Sequence, residues 1–89
     1  MKNFEGIFIL KPTLKENKIN EIIEELTKEC KKIEKIEKIG IKQLAYSVKN
    51  HKKGYFIEIY FTDEEIQAQE MKLIAQNNDN IIKFIIIRN

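Results

Sequence analysis

One cysteine, one histidine and one arginine stand among 89 residues, and each scarcity removes a class of chemistry. Cys30 alone cannot close a disulfide within the chain, and Cys30 with His51 falls short of the three or four soft ligands of a zinc site. The three glycines, Gly6, Gly40 and Gly54, are isolated from one another, so no phosphate-cradling loop is present. An acylphosphatase-like site would need an arginine near the first strand and first helix, whereas Arg88 lies at the far end. His51 sits among lysines, with no Ser, Cys or carboxylate at a spacing that suggests a nucleophile pair. Cys30 falls on an apolar helical stripe and reads as a small packing residue. The expectation is a protein that is not an enzyme, with no metal, no cofactor and no small-molecule substrate. No apolar run approaches the ~20 residues of a membrane span, and Glu5 interrupts the opening stretch where a secretion signal stays apolar. A soluble, intracellular protein with no membrane partner is expected.

What remains is an 89-residue chain that is 34% charged and 43% hydrophobic, with a formal net charge of +2. A domain this small buries only about 60 to 65% of its unfolded surface, so its large apolar residues should be consumed by one core and leftovers carry information. One domain, residues 1–89, is expected. Eighteen Ile, eight Asn and fifteen Lys against one Arg suit the coding bias of an AT-rich genome better than adaptation to a ligand. The charge is uneven. Lys15 to Lys38 holds seven Lys and seven Glu, whereas Ile41 to Ile57 holds Lys42, Lys49, Lys52 and Lys53 with no acid, so the basic character is local.

Phe4 to Leu10 is rich in β-branched and aromatic residues and reads as a strand, stopped by Lys11-Pro12. Thr13 and Glu16 fit a capping box, and Ile19, Ile22, Ile23, Leu26 and Cys30 follow at helical spacing, predicting a helix over 15–32. Its charged face includes Glu24 and Lys28, four apart. Ile33, Ile36, Ile39 and Ile41, then Leu44, Tyr46 and Val48, change parity along one long strand, with a bulge expected at Gly40. Lys49 to Gly54 reads as a polar loop. Tyr55 to Phe61 is the strongest strand signal and should form a hairpin with the strand before it. Thr62-Asp63-Glu64-Glu65 reads as a helix start, Ala68, Met71, Ile74 and Ala75 as its apolar face, and Asn77-Asn78 as its end. Ile81 to Arg88 is a final strand. The order β-α-β-β-α-β predicts an α+β, ferredoxin-like fold: a four-stranded antiparallel sheet with two helices on one face, strands one and three being central.

Sending Glu5 and Glu58 away from the helices sets the parity of the strands. Phe4, Gly6, Phe8, Leu10, Tyr55, Ile57, Ile59, Phe61, Ile82, Phe84 and Ile86 then face the helices. Ile7, Ile9, Phe56, Tyr60, Ile85 and Ile87 face the other way, with no element left to cover them. A half-solvated sheet should be polar outward, so these six side chains mark a partner surface. Inverted parity, or strands apolar on both faces through coding bias, is the competing explanation. Lys53 to Tyr60 falls one residue short of the RNA-recognition-motif strand signature, and Tyr55 points toward the helices. Base stacking on paired aromatics there is poorly supported.

Lys2-Asn3-Phe4-Glu5, Phe8-Ile9-Leu10-Lys11-Pro12, Gly40-Ile41-Lys42-Gln43-Leu44-Ala45-Tyr46, Gly54-Tyr55-Phe56 and Asn78-Asp79-Asn80-Ile81-Ile82 together resemble the bacterial small-subunit ribosomal protein S-six family. The similarity spans the whole chain, and Gln43-Leu44-Ala45-Tyr46 is its most specific piece. The resemblance implies the same topology, no enzymatic activity, and a structural role on a cytoplasmic or organellar ribosome. It also implies binding of the central domain of the small-subunit ribosomal RNA as a heterodimer with ribosomal protein S-eighteen. By position it assigns Ile7, Ile9, Phe56, Tyr60, Ile85 and Ile87 to the protein partner, and Lys2, Lys42, Lys83 and Arg88 to RNA. Three departures stand out: Ser47 replaces a proline, Lys42 stands where arginine is common, and no acidic tail follows the last strand. Lys in place of Arg weakens a bidentate phosphate contact without changing its sign. Lys52 and Lys53 read as solvated turn residues, with phosphate contact as the alternative. From another class of function, a ferredoxin-like regulatory or dimerisation domain would use the same open sheet face for self-association or a small ligand.

Overall fold

The computed structural model describes all 89 residues. The chain runs β1 (Lys2–Leu10), α1 (Glu16–Thr27), β2 (Lys32–Val48), β3 (His51–Asp63), α2 (Glu65–Gln76) and β4 (Ile81–Arg88). The strands form one antiparallel sheet in the order β2-β3-β1-β4, so the ferredoxin-like expectation holds and β1 and β3 are central.

Both helices cover the same face. Ile19, Ile22, Ile23 and Leu26 of α1 and Ala68, Met71 and Ala75 of α2 join Phe4, Phe8, Leu10, Ile57, Ile59, Phe61 and Ile81 in one buried cluster. Phe4 stacks on Phe61 with ring centroids 5.2 Å apart, tying β1 to β3, and Phe8 stacks on Phe84 at 6.2 Å, tying β1 to β4. The parity expected from the two glutamates is the one observed, with a single exception. The pairing of β1 with β4 shifts between Ile9 and Leu10, so Ile81 enters the core and Ile82 leaves the helix-covered set. A bulge of this kind lets two successive residues depart from strict alternation.

Local signals were less exact than the order of elements. The Thr13–Glu16 capping box does not form: α1 starts at Glu16 behind Lys15, with no side-chain cap. The Glu16 carboxylate instead accepts a 2.6 Å bond from Lys38 Nζ, which also donates to Asn20. Helix α1 stops at Thr27, five residues short of the expected end at residue 32. The ion pair on its outer face is Lys18–Glu21, not Glu24–Lys28.

Beyond α1 the chain is held by Asp63, whose side chain is buried at the end of β3. Its Oδ2 accepts the Lys31 N–H and its Oδ1 the Glu64 N–H, both at 2.7 Å, so one carboxylate ties the start of β2 to the start of α2. Charge-assisted bonds to backbone N–H groups are the circumstance in which a buried carboxylate is tolerated. The expected start at Thr62 is displaced: Thr62 lies within β3, its hydroxyl 2.8 Å from both Asn3 Oδ1 and Glu34 Oε2.

The expected bulge at Gly40 is present. The β2–β3 register shifts between Lys38 and Gly40, and Gly40 has φ +104°, a conformation that L side chains rarely adopt. In contrast, the polar loop expected at Lys49 to Gly54 is mostly strand. The chain reverses at Lys49 and Asn50, both with positive φ (49° and 67°), as a two-residue turn of the mirror-image type requires. Strands β2 and β3 therefore continue past the end of β1 at Leu10, which pairs with Tyr55, and form a hairpin that overhangs the sheet.

Candidate protein and nucleic-acid interface

Directly paired residues of antiparallel strands share a face, so the register lays out the open side of the sheet in rows, three of which hold the six expected residues. Crossing from β4 through β1 to β3, they read Ile87, Glu5, Tyr60, then Ile85, Ile7, Glu58, then Lys83, Ile9, Phe56. Strand β2 adds Lys35 beside Tyr60, Glu37 beside Glu58 and Gly40 beside Phe56. All six apolar or aromatic residues expected on this side are brought together, and neither helix reaches it.

They are not equally available. Ile85 and Ile87, on edge strand β4, are 53% and 43% exposed, and Ile7, Phe56 and Tyr60 are half-buried. Ile9 is buried, because it fills the space left by Gly54: a Cβ on that glycine would overlap Ile9 Cγ2 and lie 3.6 Å from Ile82 Cδ1. Ile9 and Ile82 thus form a small packed island on the open side, and Ile9 offers a partner little surface.

The middle of the face is polar. The Tyr60 hydroxyl lies 3.0 Å from Glu58 Oε1 and 3.1 Å from Glu5 Oε2 and can donate to either. The bond to Glu58, with desolvation and then the Glu5 contact behind it, pushes the phenol up to about 12, so Tyr60 stays protonated at any physiological pH. Three carboxylates, Glu5, Glu58 and Glu37, stand against Lys35 and Lys83, and Lys35 is paired with Glu37 at 3.6 Å. Apolar at its β4 edge and acidic at its centre, the face fits a partner with apolar side chains flanked by basic ones.

The four basic residues expected at RNA do not form one patch. Lys2 and Arg88 converge on Glu65 Oε1 at 3.9 and 3.8 Å, on the helix side of the sheet, and the N-terminal amine lies 3.9 Å from Glu64. Lys83 is five residues from Arg88 along β4, about 17 Å at strand rise, and on the opposite face. Lys42, exposed and paired with Gly54, belongs to the overhanging hairpin. Cys30 is half-buried at the core's margin. Burial, then the Asp63 charge, push its thiol up to about 11, which leaves it inert as a nucleophile.

Comparison with known proteins draws these features together. The family model described as ribosomal protein S6 matches residues 3–88. The small ribosomal subunit protein bS6 of Helicobacter acinonychis is 37% identical over 92 residues, covering 99% of this chain and 65% of that protein. That of Campylobacter jejuni subsp. jejuni is 35% identical over the same length, covering 99% of this chain and 74% of the relative. The chain thus spans 65% of the length of the Helicobacter relatives. The crystal structure of 30S ribosomal protein S6 from Thermotoga maritima superposes with a TM-score of 0.91 at 27% identity, covering 99% of this chain and 87% of that one. With a family match over nearly its whole length and the same architecture, the chain belongs to the ribosomal protein S6 family.

Proposed function

We propose that this chain is a structural, non-catalytic constituent of the small ribosomal subunit in the cytoplasm, and that it binds the central domain of the small-subunit ribosomal RNA together with ribosomal protein S-eighteen. The observation that carries the reading is the uncovered sheet face, where Ile85 and Ile87 are largely exposed beside the half-buried Ile7, Phe56 and Tyr60. Ile7, Phe56, Tyr60, Ile85 and Ile87 meet the protein partner, and Ile9 supports them from beneath. Lys42 and Lys83 reach RNA from one end of the sheet and Lys2 and Arg88 from the other. A net charge of +2 supplies few phosphate contacts, so the chain alone binds RNA weakly and the pair binds it well.

The test is reconstitution. Mixed with S-eighteen, the chain is expected to elute as a one-to-one complex that binds a central-domain transcript more tightly than either protein alone. In that complex Lys42→Ala should make log affinity against log salt shallower by about one unit or less. Self-association of the chain through the sheet, with no affinity for S-eighteen, would instead support a regulatory or dimerisation domain.

A further inference from the structure

Seven ion pairs hold the N-terminal amine and six of the twelve Lys and Arg side chains of the body to acids, namely Lys2, Lys18, Lys32, Lys35, Lys38 and Arg88. Lys42, Lys49, Lys52 and Lys53 of the hairpin take part in none. The cause is compositional: Ile41 to Ile57 contains four lysines and no acid, while the other 72 residues carry twelve Lys or Arg against fourteen Asp or Glu. The body is therefore net acidic, and the whole positive balance of the chain resides in one protruding element.

Its geometry separates it further. Beyond Gln43, which pairs with Lys53, ladder pairing resumes only at Val48 with His51, so Leu44, Ala45, Tyr46 and Ser47 stand opposite Lys52 alone. The outward swing leaves Tyr46 83% exposed, more than any other large hydrophobic residue of the molecule. Lys49, at the turn, lines a groove with Lys83, Phe84 and Gln76, which brings the tip back toward the only basic residue on the β4 side of the open face. A bare phenol ring in a lysine-bearing segment free of acids is the combination that binds unpaired nucleotides. The ring stacks on a base, and the ammonium groups neutralise the phosphates on either side. A-form duplex hides its base faces, so the ring requires a looped or single-stranded nucleotide.

We propose that the β2–β3 hairpin is an RNA-gripping element in its own right, with Tyr46 as the stacking platform for an unpaired base and Lys49, Lys52 and Lys53 as phosphate contacts. This rests on the reading of the chain as an RNA-binding ribosomal protein and specifies where and how that RNA is held. Binding of a labelled central-domain transcript to the complex with S-eighteen, measured across a salt series, tests it. Tyr46→Ala is expected to weaken binding about 5- to 150-fold, the range for loss of one base stack, whereas Tyr46→Phe stays within about twofold of wild type. Lys52→Ala combined with Lys53→Ala is expected to make the salt slope shallower by about 1.4 units, from roughly 0.7 per single-strand phosphate. Because Tyr46 is exposed, these variants fold as wild type does, which circular dichroism verifies. Wild-type affinity and slope in the variants would overturn the hairpin assignment alone. Loss of S-eighteen affinity with RNA affinity intact would make the hairpin a protein contact instead. A wild-type complex that does not bind the transcript would remove the underlying reading, and this inference with it.

Discussion

The two faces of the sheet are made of nearly the same residue types, yet one is sealed and the other is not. Phe4, Phe8, Ile57, Ile59 and Phe61 are all at or below 3% exposure under the helices, while Ile85 and Ile87, from an equally apolar strand, stand 53% and 43% exposed across the sheet. Hydrophobicity alone therefore does not distinguish core from interface in a chain so rich in isoleucine. The placement of a few charges does. Glu5 and Glu58 could be buried under two helices only at large cost, and directing them outward fixes the face of every residue in register with them.

The largest contrast is expected from truncating one side chain on each face. Phe61→Ala removes a ring that is fully buried and stacked on Phe4, and should cost about 3–5 kcal/mol in urea unfolding, a large part of the stability of a domain this size. Ile85→Ala should cost less than about 1 kcal/mol. Similar losses for the two would mean that the faces are equally packed and the distinction is false.

A second contrast sits at the end of β3. Asp63→Ala leaves the Lys31 and Glu64 N–H groups without their partner and should cost about 2–4 kcal/mol, while Glu58→Ala, five residues earlier in β3 and on the open face, should stay within about 1 kcal/mol. Hydrogen exchange at Lys31 and Glu64 should accelerate in the first variant only. Smaller still is the bulge: Gly40→Ala meets no neighbour but must adopt φ +104°, costing about 1–2 kcal/mol by thermal unfolding. A neutral result there would show that the bulge relaxes without strain.

The open face also titrates. With its phenol at about 12, above the ordinary 10, folded Tyr60 holds its proton more tightly than the unfolded chain does. The resulting stability is complete below pH 10 and is lost as pH rises through about 12. Tyr60→Phe should remove the late step from the phenolate absorbance titration, whereas a titration unchanged by the substitution would contradict the bonding to Glu58 and Glu5.

How much of this was legible beforehand depends on range. Element order, strand pairing, the bulge at Gly40 and the face of all six open-side residues follow from periodicity and two glutamates, because alternation is local. The failures involve partners far apart in the chain. Glu16 prefers Lys38 to the backbone of Thr13, Asp63 reaches back to Lys31, and Ile9 is buried only because Gly54 lies across from it. The turn at Lys49-Asn50 was hidden for a different reason, since it lacks the glycine that normally announces positive φ. Tyr60 was assigned to the right face, but its link to both acids emerges only from the β1–β3 register, which pairs it with Glu5.

The central claim is that the open sheet face is the site of protein partnership, and Ile85→Glu with Ile87→Glu tests it most directly. Both positions are exposed, so the double variant should unfold within about 0.5 to 1 kcal/mol of wild type. Titration calorimetry against S-eighteen should at the same time show affinity reduced at least about 100-fold, because the partner would have to bury two unpaired carboxylates. Undiminished heat and affinity in the folded double variant would contradict the account, since no partner could then be using this face.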